Sequence, residues 1–157
     1  MRKRVTGDGQ GQHAPSEEGW LDLETLALVQ VTSEEAAHPV EAALVEGGGA
    51  GWRAAQPGEQ VIRVLFDEPQ KLGRVRLLFE EEGRGRTQEF VLSWSPDGGL
   101  AYREVVRQQY TFSPPGTKRE AEEYRVDLDG VTALELRIIP DISGGDARGS
   151  LRQLRLA

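Results

Sequence analysis

Apolar side chains recur at every second position through most of the chain from Leu21 onward, and this period constrains the fold more than any other feature. A period of two is typical of half-buried β-strands, in which alternate side chains face a core. Clusters of Pro, Gly, Asp and Ser, which favour turns, interrupt the alternating runs. The predicted strands cover residues 61–66, 72–79, 90–94, 102–112, 124–128, 134–138 and 151–156.

About eight strands at this spacing predict one all-β domain, an antiparallel β-sandwich or barrel. Residues 67–69 are predicted to end one strand, and residues 129–130 are predicted to form a tight turn after another. Residues 34–44 are the one stretch with helical character, and Pro39 limits the helix to a turn or two.

Residues 1–19 are mostly polar, which predicts a disordered tail or linker ahead of a folded domain at residues 20–157. The basic residues at the start of the chain are not followed by the apolar stretch that a signal peptide needs. No window approaches the run of about 18 apolar residues that a membrane helix requires. A cytoplasmic protein is the default expectation, although a fragment of a longer chain would give the same pattern.

Composition removes several classes of function. The absence of cysteine excludes disulfides, thiolate metal sites and a cysteine nucleophile. The only histidines, His13 and His38, are too few for a histidine-based metal centre. With 26 acidic and 19 basic residues, the net charge of −7 argues against a nucleic-acid partner. Among the tryptophans, Trp52 and Trp94 are predicted in the core, and Trp20 is predicted to cover a hydrophobic edge.

An ordered set of motifs carries a resemblance to a known family. The motifs are Val31-Thr32-Ser33, residues 39–44, a glycine loop ending in Gly51-Trp52, residues 60–66, residues 90–99 with a Ser-Pro-Asp-Gly turn, and residues 150–156. In their order and spacing, they resemble the coagulation-factor five/eight type C (discoidin-like) domains and the bacterial family 32 carbohydrate-binding modules. The resemblance implies a galactose-binding-like jelly roll of about eight strands that meets its ligand at loops at one end.

The resemblance also implies a structural calcium in many relatives, held in the loop before the tryptophan by backbone carbonyls, an Asp-Gly turn, a Thr and a Glu on the last strand. Here Val45-Glu46 replaces the Asp-Gly turn, and Ala50 replaces the Thr. Arg152-Gln153 stands where the Glu would be. Calcium needs six to eight oxygen ligands, so neither a metal nor a cofactor is predicted.

Candidate ligand-binding residues come from the resemblance and from one unusual strand. Sugar-binding relatives combine an aromatic platform with Arg, His, Asn or Glu side chains, and the nearest matches are His38, Arg84, Arg86 and Gln88. Gln108 and Tyr110 lie in a strand with consecutive amides, followed by a Pro-Pro-Gly loop. Two alternatives stay open: residues 84–89 as a solvated charged hairpin loop, and residues 107–116 as an edge strand facing water.

No catalytic group is predicted, because the sequence has no recognisable catalytic motif and residues 80–82 read as solubilising carboxylates at a strand end. The sequence therefore predicts a non-catalytic binding module for carbohydrate or another small polar ligand. The alternative is a protein–protein interaction or accessory domain of a larger assembly, which would use a sheet face or the loop near Tyr110 and Pro114.

Overall fold

The computed structural model describes residues 19–47 and 49–157. The predicted tail, apart from Gly19, lies outside the described residues. The elements in chain order are α1 (Leu23–Leu26), β1 (Ala27–Val31), α2 (Glu41–Leu44), β2 (Trp52–Pro57), β3 (Gln60–Glu80), β4 (Arg86–Ser95), β5 (Arg103–Phe112), β6 (Arg119–Ile139), β7 (Arg148–Leu151) and β8 (Gln153–Leu156). The all-β prediction is confirmed, and α2 is a single turn that begins two residues after Pro39.

The strands are antiparallel and form two sheets by pairing. The larger sheet has the order β1-β3-β6-β4-β5, and β8 pairs with the second half of β3. A separate pair is formed by β2 and β7. The first half of β3 pairs with the second half of β6, whereas the second half of β3 pairs with the first half of β6. Strands β3 and β6 therefore belong to both layers of the sandwich.

Two predicted turns are wrong, and both lie where β3 and β6 pass between layers. Residues 67–69 do not end a strand, and residues 129–130 do not form a hairpin, because each of these two strands runs for 21 residues without a break. The β3–β6 register shifts three times between Leu65 and Arg74, and Gly130 has a positive φ of 68°. Bulges of this kind bend a strand without ending it. The residues predicted as turns therefore form a bend, the corner, at which β3 and β6 pass from one layer to the other.

The core lies between the layers and is built by the predicted alternation. Val75, Leu77 and Phe79 are fully buried on one face of β3. Trp52 is 1% exposed, and its Nε1 donates to the Ser33 carbonyl at 2.9 Å, which confirms its predicted place in the core. Trp94 is only partly buried and packs at the margin of this core.

Trp20 packs against two arginines of β3 and not against the hydrophobic edge that the sequence predicts. The residue is 4% exposed, and its ring centre lies 3.9 Å from the guanidinium carbon of Arg74 and 4.8 Å from that of Arg76. The next residue, Leu21, donates its N–H to the Leu156 carbonyl at 2.7 Å. The start of the domain is therefore fastened to its last strand.

Several loops meet at one end of the sandwich, which we call the loop end. It comprises residues 32–40, 81–85, 113–118 and 140–147. The strand register places them together, because Glu80 pairs with Arg119 at this end of the sheet. Two backbone hydrogen bonds tie the loops to one another and to the sheet: Glu81 N–H to the Lys118 carbonyl at 2.9 Å, and Ile142 N–H to the Thr87 carbonyl at 2.8 Å.

Candidate functional site

Arg84 reaches across the loop end to the loop of residues 140–147. Its Nη1 donates to Asp146 Oδ1 at 2.8 Å, and the two side chains are 49% and 83% exposed. The hydrogen bond from Arg84 lowers the pKa of Asp146, and the same bond raises the pKa of Arg84. Asp141 also contributes to the raised pKa of Arg84 through its charge. We call Arg84, Asp141 and Asp146 the Arg84 cluster.

An apolar side chain lies beside this cluster. Ile142 is 49% exposed. It lines a shallow groove of about 270 Å³ together with Asp141, Glu59 and three glycines. Asp141 is fixed by hydrogen bonds from the Ser143 hydroxyl and N–H at 2.7 and 3.1 Å. The groove thus combines one exposed apolar side chain with two carboxylates, and Arg84 and Asp146 lie beside it, outside its lining.

His38 lies at the same end, but in a neighbouring loop. Its backbone pairs with that of Glu35, and its carbonyl accepts from the Arg53 N–H at 3.2 Å. Glu35 also forms ion pairs with Arg53 at 3.7 Å and with Arg148 at 3.2 Å. His38 therefore lies next to the ion pairs of Glu35. Their partner Arg148 is two residues after Asp146, a member of the Arg84 cluster.

Arg86 and Gln88 are not surface ligands, and this corrects the sequence prediction. Strand β4 begins at Arg86, and both side chains face the interior, where they are 4% and 0% exposed. Arg86 donates to Glu81 at 2.6 Å, to the Pro140 carbonyl at 2.8 Å and to Gln88 at 3.2 Å. Its guanidinium carbon lies 4.8 Å from the centre of the Phe112 ring. The pair fastens two loops from inside the sandwich.

The charge state of Glu81 follows from this buried arginine. Burial alone would raise the pKa of Glu81, but the hydrogen bond from Arg86 and those from the Gly83 and Arg84 N–H groups outweigh it. The pKa of Glu81 is therefore lower than usual. An ionised Glu81 holds the loop that presents Arg84 to solvent.

A buried carboxyl continues the network on the facing strand. Gln88 Nε2 donates to Glu120 Oε1 at 3.3 Å, and Glu120 is 2% exposed. Burial, together with the neighbouring Glu122, raises the pKa of Glu120 from its usual 4.5 to about 8. Within the described residues, Glu120 Oε2 and Arg86 Nη2 have no hydrogen-bond partner. The protonated acid is thus the form that this interior favours near neutral pH.

Tyr110 and Gln108 lie on β5, opposite Gln88 and Phe90 in the register. Gln108 is partly buried, and its Oε1 lies 3.5 Å from the Tyr124 hydroxyl, at the limit of a hydrogen bond. Tyr110 faces a groove of about 530 Å³, which we call the Tyr110 groove. Its other lining residues include Glu80, Glu82, Thr117, Lys118 and Arg119. Of the six predicted residues, the structure thus brings Arg84, His38 and Tyr110 to the loop end and leaves the other three inside or along β5.

The loop before Trp52 is held by an arginine. Arg155 on β8 donates to the Ala43 carbonyl at 3.0 Å, the Val45 carbonyl at 2.9 Å and the Leu154 carbonyl at 3.1 Å. Calcium does not fit beside these carbonyls, because the guanidinium of Arg155 already binds them. Within the described residues, no group of three or more His, Asp or Glu side chains could hold a metal.

Three residues of importance were missed by the sequence analysis. No motif in the sequence assigns a role to Asp146 or Glu120. Arg155 was not predicted, because the resemblance places the calcium-binding Glu of relatives at Arg152-Gln153. The alternation of β4 did contain one usable signal: counting back from the buried Phe90 by two and by four places Gln88 and Arg86 on the same inner face.

Several solved structures with a similar fold are carbohydrate-binding modules. The family 32 module of C. perfringens NanJ, solved in complex with galactose, has a TM-score of 0.60 at 15% identity, covering 83% of this chain and 92% of that one. This chain has the fold of family 32 carbohydrate-binding modules. The family 32 module of AlyQ, in complex with 4,5-unsaturated mannuronic acid, has a TM-score of 0.60 at 16% identity, covering 84% and 95%.

A third module with this fold, CBM32-3 from a family 31 glycoside hydrolase of Clostridium perfringens, has a TM-score of 0.61 at 17% identity, covering 88% and 94%. The galactose-binding-like jelly roll predicted from the sequence is therefore confirmed. No protein-family model and no curated protein matches the chain. Among the described residues, no helix is long and apolar enough to cross a membrane.

Proposed function

We propose that this chain is a non-catalytic carbohydrate-binding module that holds a glycan at the Arg84 cluster. The observation that carries the proposal is the exposed Arg84–Asp146 pair beside Ile142, at the loop end of a fold shared with family 32 modules. The guanidinium fork and the carboxylates offer fixed donors and acceptors to sugar hydroxyls. The exposed isoleucine offers a surface to the apolar C–H groups of a sugar ring.

A binding role without catalysis agrees with the state of the acidic residues at the loop end. Glu80 is held by Arg119 and Arg152, and Glu81 is held by Arg86. Two catalytic carboxyls of a glycosidase normally face each other across a cleft at about 5–9.5 Å. Here the adjacent carboxyls are committed to ion pairs on different sides of one loop. The protein-interaction alternative is less favoured, since the modules that share this fold bind sugars.

The proposal is tested by a glycan array followed by calorimetric titration of the glycans that bind. Arg84→Ala and Asp146→Ala are each expected to weaken binding about tenfold or more, because each removes a charged hydrogen-bonding group. Arg107→Ala is the matched control: its side chain is 53% exposed and pairs with Glu89 at 2.7 Å on the outer face of the sheet. Equal affinities in all three variants, or no glycan bound at all, would refute the proposal.

A further inference from the structure

The geometry points to a second saccharide-binding site, the Tyr110 groove, which takes a neutral sugar residue independently of the Arg84 cluster. Both sites use the loop of residues 81–85. Glu82 lines the groove, whereas Arg84 extends to Asp146. The volume of about 530 Å³ lies within the range of small-ligand sites, about 300–1,000 Å³.

The tyrosine ring in this groove is held in place before any ligand arrives. Its hydroxyl donates to the Arg119 carbonyl at 2.8 Å. Its ring centre lies 5.0 Å from that of Phe112, at an angle of 65°. Since the hydroxyl is already used, the ring contributes mainly its apolar surface to a ligand. A fixed aromatic surface suits the C–H face of a sugar and loses little freedom on binding.

The wall of the groove is also rigid. Ser113 N–H donates to the Thr117 carbonyl at 2.7 Å and to the Thr117 hydroxyl at 3.0 Å, which closes the hairpin loop. On the other side, Glu80 is held by Arg119 and by Arg152, the latter at 2.7 Å. The groove is therefore formed by residues whose positions are fixed by the fold.

The charges of the groove indicate a neutral, hydroxyl-rich ligand. Two acidic residues, Glu80 and Glu82, balance two basic ones, Lys118 and Arg119. Glu82 and Lys118 are exposed, and neither has an ion-pair partner in the part of the chain that the structure describes. An acceptor and a donor of this kind, beside an aromatic surface, match sugar hydroxyls, which both donate and accept. An anionic ligand would need an excess of cations, which the groove lacks.

The inference is tested by recording amide chemical shifts of the protein during titration with galactose, N-acetylgalactosamine or fucose, and with galacturonic acid as the charged comparison. We expect the amides of residues 110–119 to shift with at least one neutral sugar. Arg84→Ala should leave those shifts in place. Tyr110→Ala should remove them and leave the shifts around Arg84 and Asp146 unchanged. Galacturonic acid is expected to bind the groove at least threefold more weakly than the matching neutral sugar.

Substitutions of two exposed residues test the groove even if the Tyr110→Ala variant fails to fold. Glu82→Gln and Lys118→Met cannot disturb the core, and each is expected to weaken the groove's affinity threefold or more. Tyr102→Ala is the matched control, since this tyrosine is also partly buried but lies at the opposite end, 6.0 Å below the Arg63 guanidinium.

Three results would overturn the inference. If residues 110–119 show no shifts while those near Arg84 respond, the groove is not a site and the proposed function still stands. If Arg84→Ala abolishes both sets of shifts, the protein has a single site. If no sugar shifts any amide, both the inference and the proposed function fail.

Discussion

Replacing Arg155 tests the claim that a guanidinium, and no metal, organises the loop before Trp52. The four-residue helix α2 ends with carbonyls that have no partner in the helix. Arg155 donates to two carbonyls in this region, those of Ala43 and Val45, from the far end of the chain. In Arg155→Met, the hydrocarbon stem still packs, but the hydrogen bonds to both loop carbonyls are lost, together with the one to the Leu154 carbonyl. At about 1.5–3 kcal/mol for each hydrogen bond from a charged group, the two loop bonds alone give an expected loss of stability of about 3–6 kcal/mol.

Thermal unfolding followed by circular dichroism measures the loss. For a domain of this size, 1 kcal/mol corresponds to about 2–4 °C, so Tm should fall by about 6–24 °C. Arg155→Lys should lie in between, because one ammonium cannot fork to both carbonyls. The matched control is Arg152→Met, an arginine 42% exposed whose ion pair with Glu80 should be worth about 1 kcal/mol or less.

Calcium supplies the second arm of the same experiment. If the guanidinium holds the loop carbonyls, calcium chloride and EDTA should both leave the Tm of the unsubstituted protein unchanged. The reasoning is refuted if calcium raises Tm by several degrees, because ligands that bind only the folded state stabilise it. It is equally refuted if Arg155→Met is no more destabilising than Arg152→Met.

Three further predictions follow from burial and backbone geometry. The pKa of Glu120 is raised in the folded state to about 8, so the contribution of Glu120 to stability is complete below pH 4.5 and is lost as the pH rises to 8. The free energy of unfolding should therefore fall over this range by at most about 1.4 kcal/mol per pH unit. Glu120→Gln should reduce this fall, as measured by urea unfolding at several pH values. Gly51 has φ of 83°, and an added Cβ would lie 2.5 Å from the Leu151 carbonyl oxygen, so Gly51→Ala should lower the urea midpoint by more than Gly58→Ala, where φ is also positive but the space is open. Trp20→Ala should cost about 3 kcal/mol in chemical unfolding, since the ring is almost fully buried over Arg74; a loss below 1 kcal/mol would mean that the ring contributes little to the folded domain.

The longer strands were predictable because each depends on its own alternation. The short strands β1, β2 and β7 and the corner between the layers were not predicted. Pro69 and Gly130 carry the residue types of a turn, and a local interpretation ends a strand at each. What makes them a corner is the pairing of β3 with β6, in which Gln70 lies opposite Val131. Residues 61 positions apart must pair before the bulges can form, and no local pattern in the sequence shows that pairing.

The candidate site, too, was predictable only where local pattern decides the outcome. Arg84 and Arg86 look equivalent in the sequence, yet one is exposed and the other is sealed inside the sandwich. The alternation counted back from Phe90 favours burial of Arg86, but a buried guanidinium is costly unless it is paired. Arg86 can be buried only if its guanidinium finds partners in the folded chain. These partners are Glu81 from the preceding loop and the Pro140 carbonyl just after β6. Because those partners exist, Arg86 can fasten the loop from within, and Arg84 two residues earlier is left facing solvent, where a ligand can reach it.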